Sequence, residues 1–310
     1  MILVTGATGF LGKRVCHLLD REAEEYCPTS LSLGVDLRDW RQTKSLFDEV
    51  RPTHIVNCAA YVGGIQFGYK HPVELFHNNS LMTINMLKAA NEYSVERIVN
   101  PISNCSYPAR ATLFRENEFW DGPLHESVLV YGFVRKMSWV GAWAYHRQYG
   151  LDILNLILSN MYGPEDHFEA ERSHALGALV MKICLAKIRN DREVVVWGSG
   201  EPVREWLHVD DGAEAMVRAL DAKATEDPVN IGVGRGISIK QLVDKIVEYI
   251  GYTGTIRFDR SRPDGAPYKT VDGTRGEKLL GWCPGIDLDQ GIRETITWFM
   301  KHRAVELNLL

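Results

Sequence analysis

Short apolar runs alternate with longer stretches of helical period from the first residues onward, and few folds accept that order. Residues 2–4 read as a buried strand and residues 10–19 as a helix with Leu11, Val15, Leu18 and Leu19 on one face. A short helix follows at 42–50, a strand at 54–58, a long helix at 80–93, a strand at 97–102, a helix at 131–149 and a strand at 152–158. Strands and helices alternating at these lengths build right-handed βαβ units, and hence a parallel sheet covered on both faces. Beyond Asn160 the rhythm loosens. Helices are expected at 174–188, 210–220, 238–250 and 290–300, with strands at 194–197, 230–233 and 255–258 between them. There is no internal repeat and no low-complexity tract.

Composition narrows the partners. Thirty-five basic residues against forty acidic ones give a net charge of −5, which argues against a nucleic-acid binder that must neutralise many phosphates. No apolar run approaches the ~20 residues that cross a bilayer, so no membrane association is expected. Met1 leads straight into a short apolar segment and a glycine-rich turn, so no leader is expected either. The six cysteines are scattered, with no C-x-x-C pair and no zinc spacing to histidine. They read as thiols in a reducing cytoplasm, most of them small buried hydrophobes, with Cys105 the exception.

The segment between the first strand and the first helix is Gly6-Ala7-Thr8-Gly9-Phe10-Leu11-Gly12. Glycines at this spacing let the backbone approach a pyrophosphate, and the helix start offers free N–H groups and a positive dipole. In a βαβ series this marks a dinucleotide site and predicts a Rossmann-type doubly wound parallel sheet with a smaller C-terminal α/β substrate domain. Residues 1–163 and 203–233 are assigned to the first unit, and 164–202 and 234–310 to the second. An acidic residue after the second strand would take the ribose hydroxyls of NAD. Here Tyr26-Cys27-Pro28-Thr29-Ser30 ends in hydroxyls. A 2′-phosphate suits Thr29, Ser30 or a nearby arginine such as Arg14 better, so NADP is favoured over NAD. Asp36 and Leu37, counted after a third short strand, are placed near the adenine.

Three further segments carry chemistry. Ser103-Asn104-Cys105 follows what counts as the fifth strand, at the end where open parallel sheets bind ligands. Tyr131 opens a long helix, and His174 opens another in the second half. Each alone reads as a cap or a packing residue. Together with the glycine turn and the basic pair after Tyr131, they resemble the extended short-chain dehydrogenase/reductases, the NAD-dependent epimerase/dehydratase family. Within it the chain is similar to the GDP-L-fucose synthase branch. The likeness rests on Ala59-Ala60-Tyr61-Val62-Gly63-Gly64-Ile65, Ser103-Asn104-Cys105-Ser106-Tyr107-Pro108, Asn160-Met161-Tyr162-Gly163-Pro164 and Ser173-His174. It continues through Val196-Trp197-Gly198-Ser199-Gly200, the run from Arg204 to Asp211, and Arg262-Pro263-Asp264-Gly265.

The resemblance implies an NADP-dependent 3,5-epimerase/4-reductase acting on a GDP-4-keto-6-deoxy-hexose. A ketone at C4 acidifies the hydrogens on C3 and C5. Ser103 and Tyr131 would hold the enolate oxygen. Cys105 and His174 would be the base and acid on opposite faces of the sugar. The cofactor would meet Gly6, Thr8, Gly9, Phe10, Leu11, Gly12, Asp36, Leu37, Ala59, Ala60, Tyr131, Arg135, Asn160, Met161 and His174. Lys182, Trp197, Arg204, Asp264 and Lys269 would hold the GDP-sugar. The branch also implies a homodimer that pairs the helices at 80–93 and 131–149, with Met137, Trp139, Val140, Trp143 and Ala144 available for such a face or for the chain's own sheet.

One position departs from the family pattern Tyr-x-x-x-Lys. Four residues beyond Tyr131 stands Arg135, and the lysine comes one later, at Lys136. A helical step of about 100° separates the two, so Lys136 is expected to point elsewhere. Arg135 keeps the positive charge but is bulkier and holds its proton. Three outcomes stay open: an epimerase-reductase with a shifted pH dependence, a protein that epimerises a 4-keto sugar but reduces it poorly, and one that only binds nucleotide. The alternative reading of the site is a 4-ketoreductase or epimerase acting on another nucleotide sugar such as a heptose.

Overall fold

The computed structural model describes residues 1–168, 173–262 and 264–303. Pro263 of the Arg-Pro-Asp-Gly segment and residues 304–310 of the second assigned unit lie outside the described residues. In the first half come β1 (Ile2–Thr5), α1 (Phe10–Arg21), β2 (Tyr26–Thr29), α2 (Trp40–Val50) and β3 (His54–Asn57). They are followed by α3 (Ile65–Lys70), α4 (Pro72–Glu92), β4 (Arg97–Ser103), α5 (Leu129–Tyr149) and β5 (Asp152–Leu158). The second half runs β6 (Asn160–Tyr162), α6 (Ala175–Arg189), β7 (Glu193–Trp197), β8 (Val203–His208), α7 (Val209–Arg218) and β9 (Val229–Ile231). It ends with β10 (Gly236–Ser238), α8 (Ile239–Ile250), β11 (Thr255–Asp259), β12 (Tyr268–Lys269), α9 (Thr274–Leu280) and α10 (Leu288–Trp298).

Six strands form one parallel sheet in the order β2-β1-β3-β4-β5-β9. The order reverses around β1, so a crevice opens at the carboxyl ends of β1 and β3, where doubly wound sheets bind ligands. The expected α/β Rossmann-type sheet is therefore what the chain forms. A row of buried polar side chains crosses it. Thr5 Oγ1 donates to Asn57 Oδ1 (2.7 Å), Asn57 Nδ2 to Asn100 Oδ1 (3.0 Å), and Asn100 Nδ2 to Asn155 Oδ1 (2.8 Å) and Ser138 Oγ (3.2 Å). The row ties four strands and α5 into one register, because a slip would leave every member buried and unpaired. A second core lies between α6, α8 and α10 and the short sheets, and includes Leu176, Val180, Ile183, Leu242, Ile246 and Ile292. β8 pairs with β10, β12 and β6, while β11 pairs with β7. Leu280 of α9 packs instead with the core of the large sheet.

Several expectations are corrected. Leu31–Leu33 forms a 3-10 turn, not a third strand. Ser30 accepts from the Leu33 amide and Gly34 takes φ +93°, a local closure that no strand tolerates. The strand count therefore drops by one, and Ser103 closes the fourth strand rather than following a fifth. The long helix begins at Pro72, not residue 80. Proline suits a first helical position, and the polar His77-Asn78-Asn79 breaks the apolar period in the sequence. Inside the helix, Asn79 spends its amide on the backbone of Tyr61 and Leu75. Among the described residues no helix is long and apolar enough to cross a membrane. All six cysteines are free thiols; Cys16 and Cys184 are buried and Cys283 is exposed.

Candidate active site

The glycine turn is a cradle. Gly6 has φ +62°, and a Cβ there would lie 2.6 Å from the Cys58 carbonyl carbon. A Cβ on Gly12 would lie 2.1 Å from Gly6 O, so only glycines let the turn fold flat against β3 and α1. Gly9 caps α1 with no side-chain bond, which keeps the first-turn N–H groups available for an anion. Phe10 and Leu11 begin the helix and lean on the core. Ala59, whose amide donates to Thr5 Oγ1, borders the same crevice, with Ala60 beyond it. The donor set and the close backbone approach fit a dinucleotide pyrophosphate.

At the end of β2 three hydroxyls meet. Thr8 Oγ1 lies 3.0 Å from Ser30 Oγ and 2.7 Å from Ser32 Oγ, and the two serines lie 3.0 Å apart. Ser32 was not singled out from sequence, because its approach depends on the 3-10 turn. Arg14, considered for a 2′-phosphate, is committed elsewhere. Its guanidinium meets Glu165 (3.3 Å), Asp210 (3.4 Å) and the Pro164 carbonyl (3.0 Å). Asp36 is chelated by Arg38 (2.8 and 2.6 Å), which holds the carboxyl below its ordinary range. Leu37 is buried beside Leu46, Phe47 and Ile55.

The chemistry-bearing residues gather where β4 ends. Ser103 Oγ accepts from the Cys105 amide (3.1 Å) and caps a 3-10 turn over Asn104–Ser106. That turn is pressed onto α5 next to Tyr131. Ser106 Oγ donates to Gly132 O (3.0 Å), and a Cβ on Gly132 would lie 2.4 Å from Cys105 O. Lys269, from β12, donates to Cys105 Sγ at 3.3 Å. Burial pushes this thiol up, but the Lys269 ammonium, Ser103 and His174 outweigh it, so Cys105 titrates below an ordinary thiol. His174 is the N-cap of α6. Burial alone would pull its imidazole down; Asp166 and Cys105 outweigh that and raise it.

Tyr131 and Arg135 sit one turn apart on α5. Arg135 is buried, its Nε donates to Tyr131 Oη at 3.3 Å, and its guanidinium carbon lies 5.3 Å from the ring centroid. Lys136 points away, as the helical step expects. Its ammonium donates to Phe119 O and lies over the rings of Phe119 (4.5 Å) and Trp120 (4.2 Å). In the neighbouring short strands, Asn160 Nδ2 donates to Glu205 O (3.0 Å), and Met161 packs on the first core.

A third group surrounds the loop after β7. Trp197 is half exposed, with Arg262 5.1 Å and Lys182 6.0 Å from its ring centroid. Lys182 Nζ donates to Val195 O (2.6 Å), and burial lowers its pKa. Asp264 accepts from both the amide (2.6 Å) and hydroxyl (2.8 Å) of Ser199, so its carboxylate clasps the loop. Arg204 reaches the Asp264 carbonyl (3.4 Å) and stands in register beside Lys269. Lys269 thus lies on the thiol side of this group. Sequence reasoning missed Gly132 and Asp166. Gly132 showed no signal beyond following Tyr131, and Asp166 sat unread within the stretch after Gly163-Pro164.

A parallel sheet with a glycine cradle at its switch point, a serine and a cysteine where β4 ends and a tyrosine in the first turn of α5 defines a Rossmann-type dinucleotide-binding protein of the short-chain dehydrogenase kind. The chain belongs to the NAD dependent epimerase/dehydratase family, whose model matches residues 2–232. It is 32% identical to GDP-L-fucose synthase 1 of Arabidopsis thaliana over 311 aligned positions, which cover 97% of this chain and 93% of that protein. The crystal structure of a GDP-L-fucose synthetase from Naegleria fowleri bound to NADP superposes with a TM-score of 0.87 at 30% identity, covering 97% and 93% of the two chains. A GDP-6-OMe-4-keto-L-xylo-heptose reductase from Campylobacter jejuni shares the fold at a TM-score of 0.90 and 23% identity, covering 97% of each chain.

Proposed function

We propose that this chain is an NADP-dependent GDP-sugar 3,5-epimerase/4-reductase acting on a GDP-4-keto-6-deoxy-hexose. The observation that carries the reading is the Cys105–Lys269 contact, with the thiol held down and the His174 imidazole held up, a base and an acid that stabilise each other's charge. A reductase alone has no use for such a pair. Cys105, as thiolate, takes the proton from C3 or C5. The electron pair moves to the C4 oxygen, and Ser103 and Tyr131 donate to it. Ser103 Oγ accepts from the Cys105 amide, a contact that does not use its hydroxyl proton; once Cys105 is protonated that proton is available to the C4 oxygen. His174 returns a proton to carbon from the opposite face. For the reduction, a nicotinamide cofactor held by the glycine cradle and the three hydroxyls would supply hydride chemistry at C4. Tyr131 then protonates the oxygen, and Arg135, donating into the phenol oxygen, leaves the phenol proton to point at the sugar.

The cofactor reading rests on the three-hydroxyl cluster and the lack of an acid at the end of β2. The diphosphate is assigned to Lys182 and Arg204, and the base to the Trp197 face. Residues 1–163 and 203–233 are assigned to cofactor binding and 164–202 and 234–310 to the sugar, with α9 packing back on the large sheet. The chain is assigned to the cytoplasm on its six free thiols. We assign it a homodimer through α4 and α5.

The test is turnover of GDP-4-keto-6-deoxymannose with NADPH. Oxidised cofactor together with a GDP-6-deoxy-hexose inverted at C3 and C5 is expected. Turnover only with a different 4-keto nucleotide sugar would replace the substrate. A specific observation keeps the second reading, reduction or epimerisation of another sugar, in view: Arg135 engages the tyrosine where the family places lysine.

A further inference from the structure

We propose that Asp166 is the positioning residue of His174, holding the ring by Nδ1 so that Nε2 alone exchanges the proton with the sugar. This rests on the assignment of His174 as the acid. Asp166 lies in the loop after β6, with its side chain 1% exposed, and its Oδ1 accepts from the His167 amide at 2.7 Å. The same oxygen is 3.6 Å from His174 Nδ1. Among the described residues, neither Asp166 Oδ2 nor His174 Nδ1 has a hydrogen-bond partner, though both are buried. His174 Nδ1 stands a few tenths of an ångström beyond bonding range of the Asp166 carboxylate, whose other oxygen has no partner, and a small ring rotation brings donor and carboxylate together. α6 leaves room for the carboxylate at Gly177, where a Cβ would lie 3.2 Å from Asp166 Oδ2 and 3.0 Å from Ser173 Oγ.

A carboxylate on Nδ1 fixes the tautomer, as an orienting acid does for a catalytic imidazole. The neutral ring then carries its proton on Nδ1 and presents a bare Nε2; the charged ring carries a proton on both. During epimerisation the carbon proton goes to Cys105 Sγ, and the enolate carbon takes a proton from His174 Nε2. The ring ends neutral with Nδ1–H still on Asp166, so protons and charge balance. The titratable groups that act on the ring are Asp166, at 3.6 Å from Nδ1, and Cys105, whose sulfur Lys269 contacts in turn. The neighbouring Glu165 is committed to Lys13 (3.0 Å) and Arg14 (3.3 Å).

The test is a nitrogen-15 titration of the histidines in the intact protein, with His174 assigned by its loss in His174→Gln. Neutral His174 of the wild type is expected as the Nδ1–H tautomer. In Asp166→Asn its pKa should fall by about one pH unit or more, while Asp166→Glu, which keeps the charge, should hold most of it. Proton exchange at C3 and C5 should drop about tenfold or more in Asp166→Asn with KM little changed. An Nε2–H tautomer in the wild type overturns the proposal without any variant needing to fold. So does an unmoved His174 titration in folded Asp166→Asn. If the tautomer and titration are as expected but the wild type exchanges no sugar proton, the Asp166 contact stands and the reaction assigned to the site falls.

Discussion

At the residue scale, the site is a set of charges placed against one another. Cys105 carries the consequence most open to measurement, because Lys269 holds its thiol down against burial. A lowered thiol pKa means the reactive thiolate is present above that value and lost as the pH falls through it. Lys269→Met removes the ammonium, so the thiolate should appear only at higher pH. The midpoint of Cys105 alkylation by iodoacetamide, followed peptide by peptide to separate it from exposed Cys283, should rise by about one pH unit or more. An unmoved midpoint would mean that Lys269 does not set the thiol. Cys105, His174 and Tyr131 were legible as candidates because their segments resemble the family's. Arg135 was legible as a departure because a residue type at a fixed helical offset needs no structure to read. Asp166 was not, since its role depends on the chain turning back after β6. Arg14 misled for the same reason. In sequence it is a cation near the cofactor turn; in space Glu165 and Asp210 hold it.

At the scale of elements, long buried strands and amphipathic helices were readable and short pairings were not. β5 is seven residues long and buried along nearly all of its length, so its existence is legible from its apolar run, while its register is set by Asn155 in the polar row. β10 and β12 are three and two residues long and exist because β8 lies between them. Nothing local encodes such strands. α4 and α5 present a legible face with a mixed outcome. Val140, Trp143 and Ala144 are exposed, Met137 lies in the α4–α5 seam against Ser80, and Trp139 turns inward to Phe119 and Trp120. Val73, Phe76 and Ile84 of α4 and Phe133 of α5 add to the exposed apolar surface. A patch of this kind on a helix pair suits a second copy of the chain. Sedimentation equilibrium should give twice the 35.1 kDa chain mass for the wild type and the single mass for Trp143→Glu. A monomeric wild type would remove the assigned dimer.

At the scale of the whole molecule, the large sheet fixes one wall of the site and the short sheets carry the other. Ser103, Cys105 and Tyr131 are set by β4 and α5, while Lys269 and His174 come from β12 and the start of α6. The sulfur meets its counter-ion across a sequence separation of 164 residues, so the pairing exists only when both halves are docked. In the proposed function that closure serves both chemistries at one sugar, and Arg135 is the residue that separates them. The measurement that separates them is an incubation in deuterated water of the protein with GDP-4-keto-6-deoxymannose, with and without NADPH. Sugar deuterium is followed by mass and NMR, and the cofactor by absorbance. Deuterium at C3 and C5 in both incubations, with NADPH consumed in the second, is the predicted result. No deuterium at either carbon while NADPH is consumed would contradict it, because the Cys105–His174 pair would then have no proton to move.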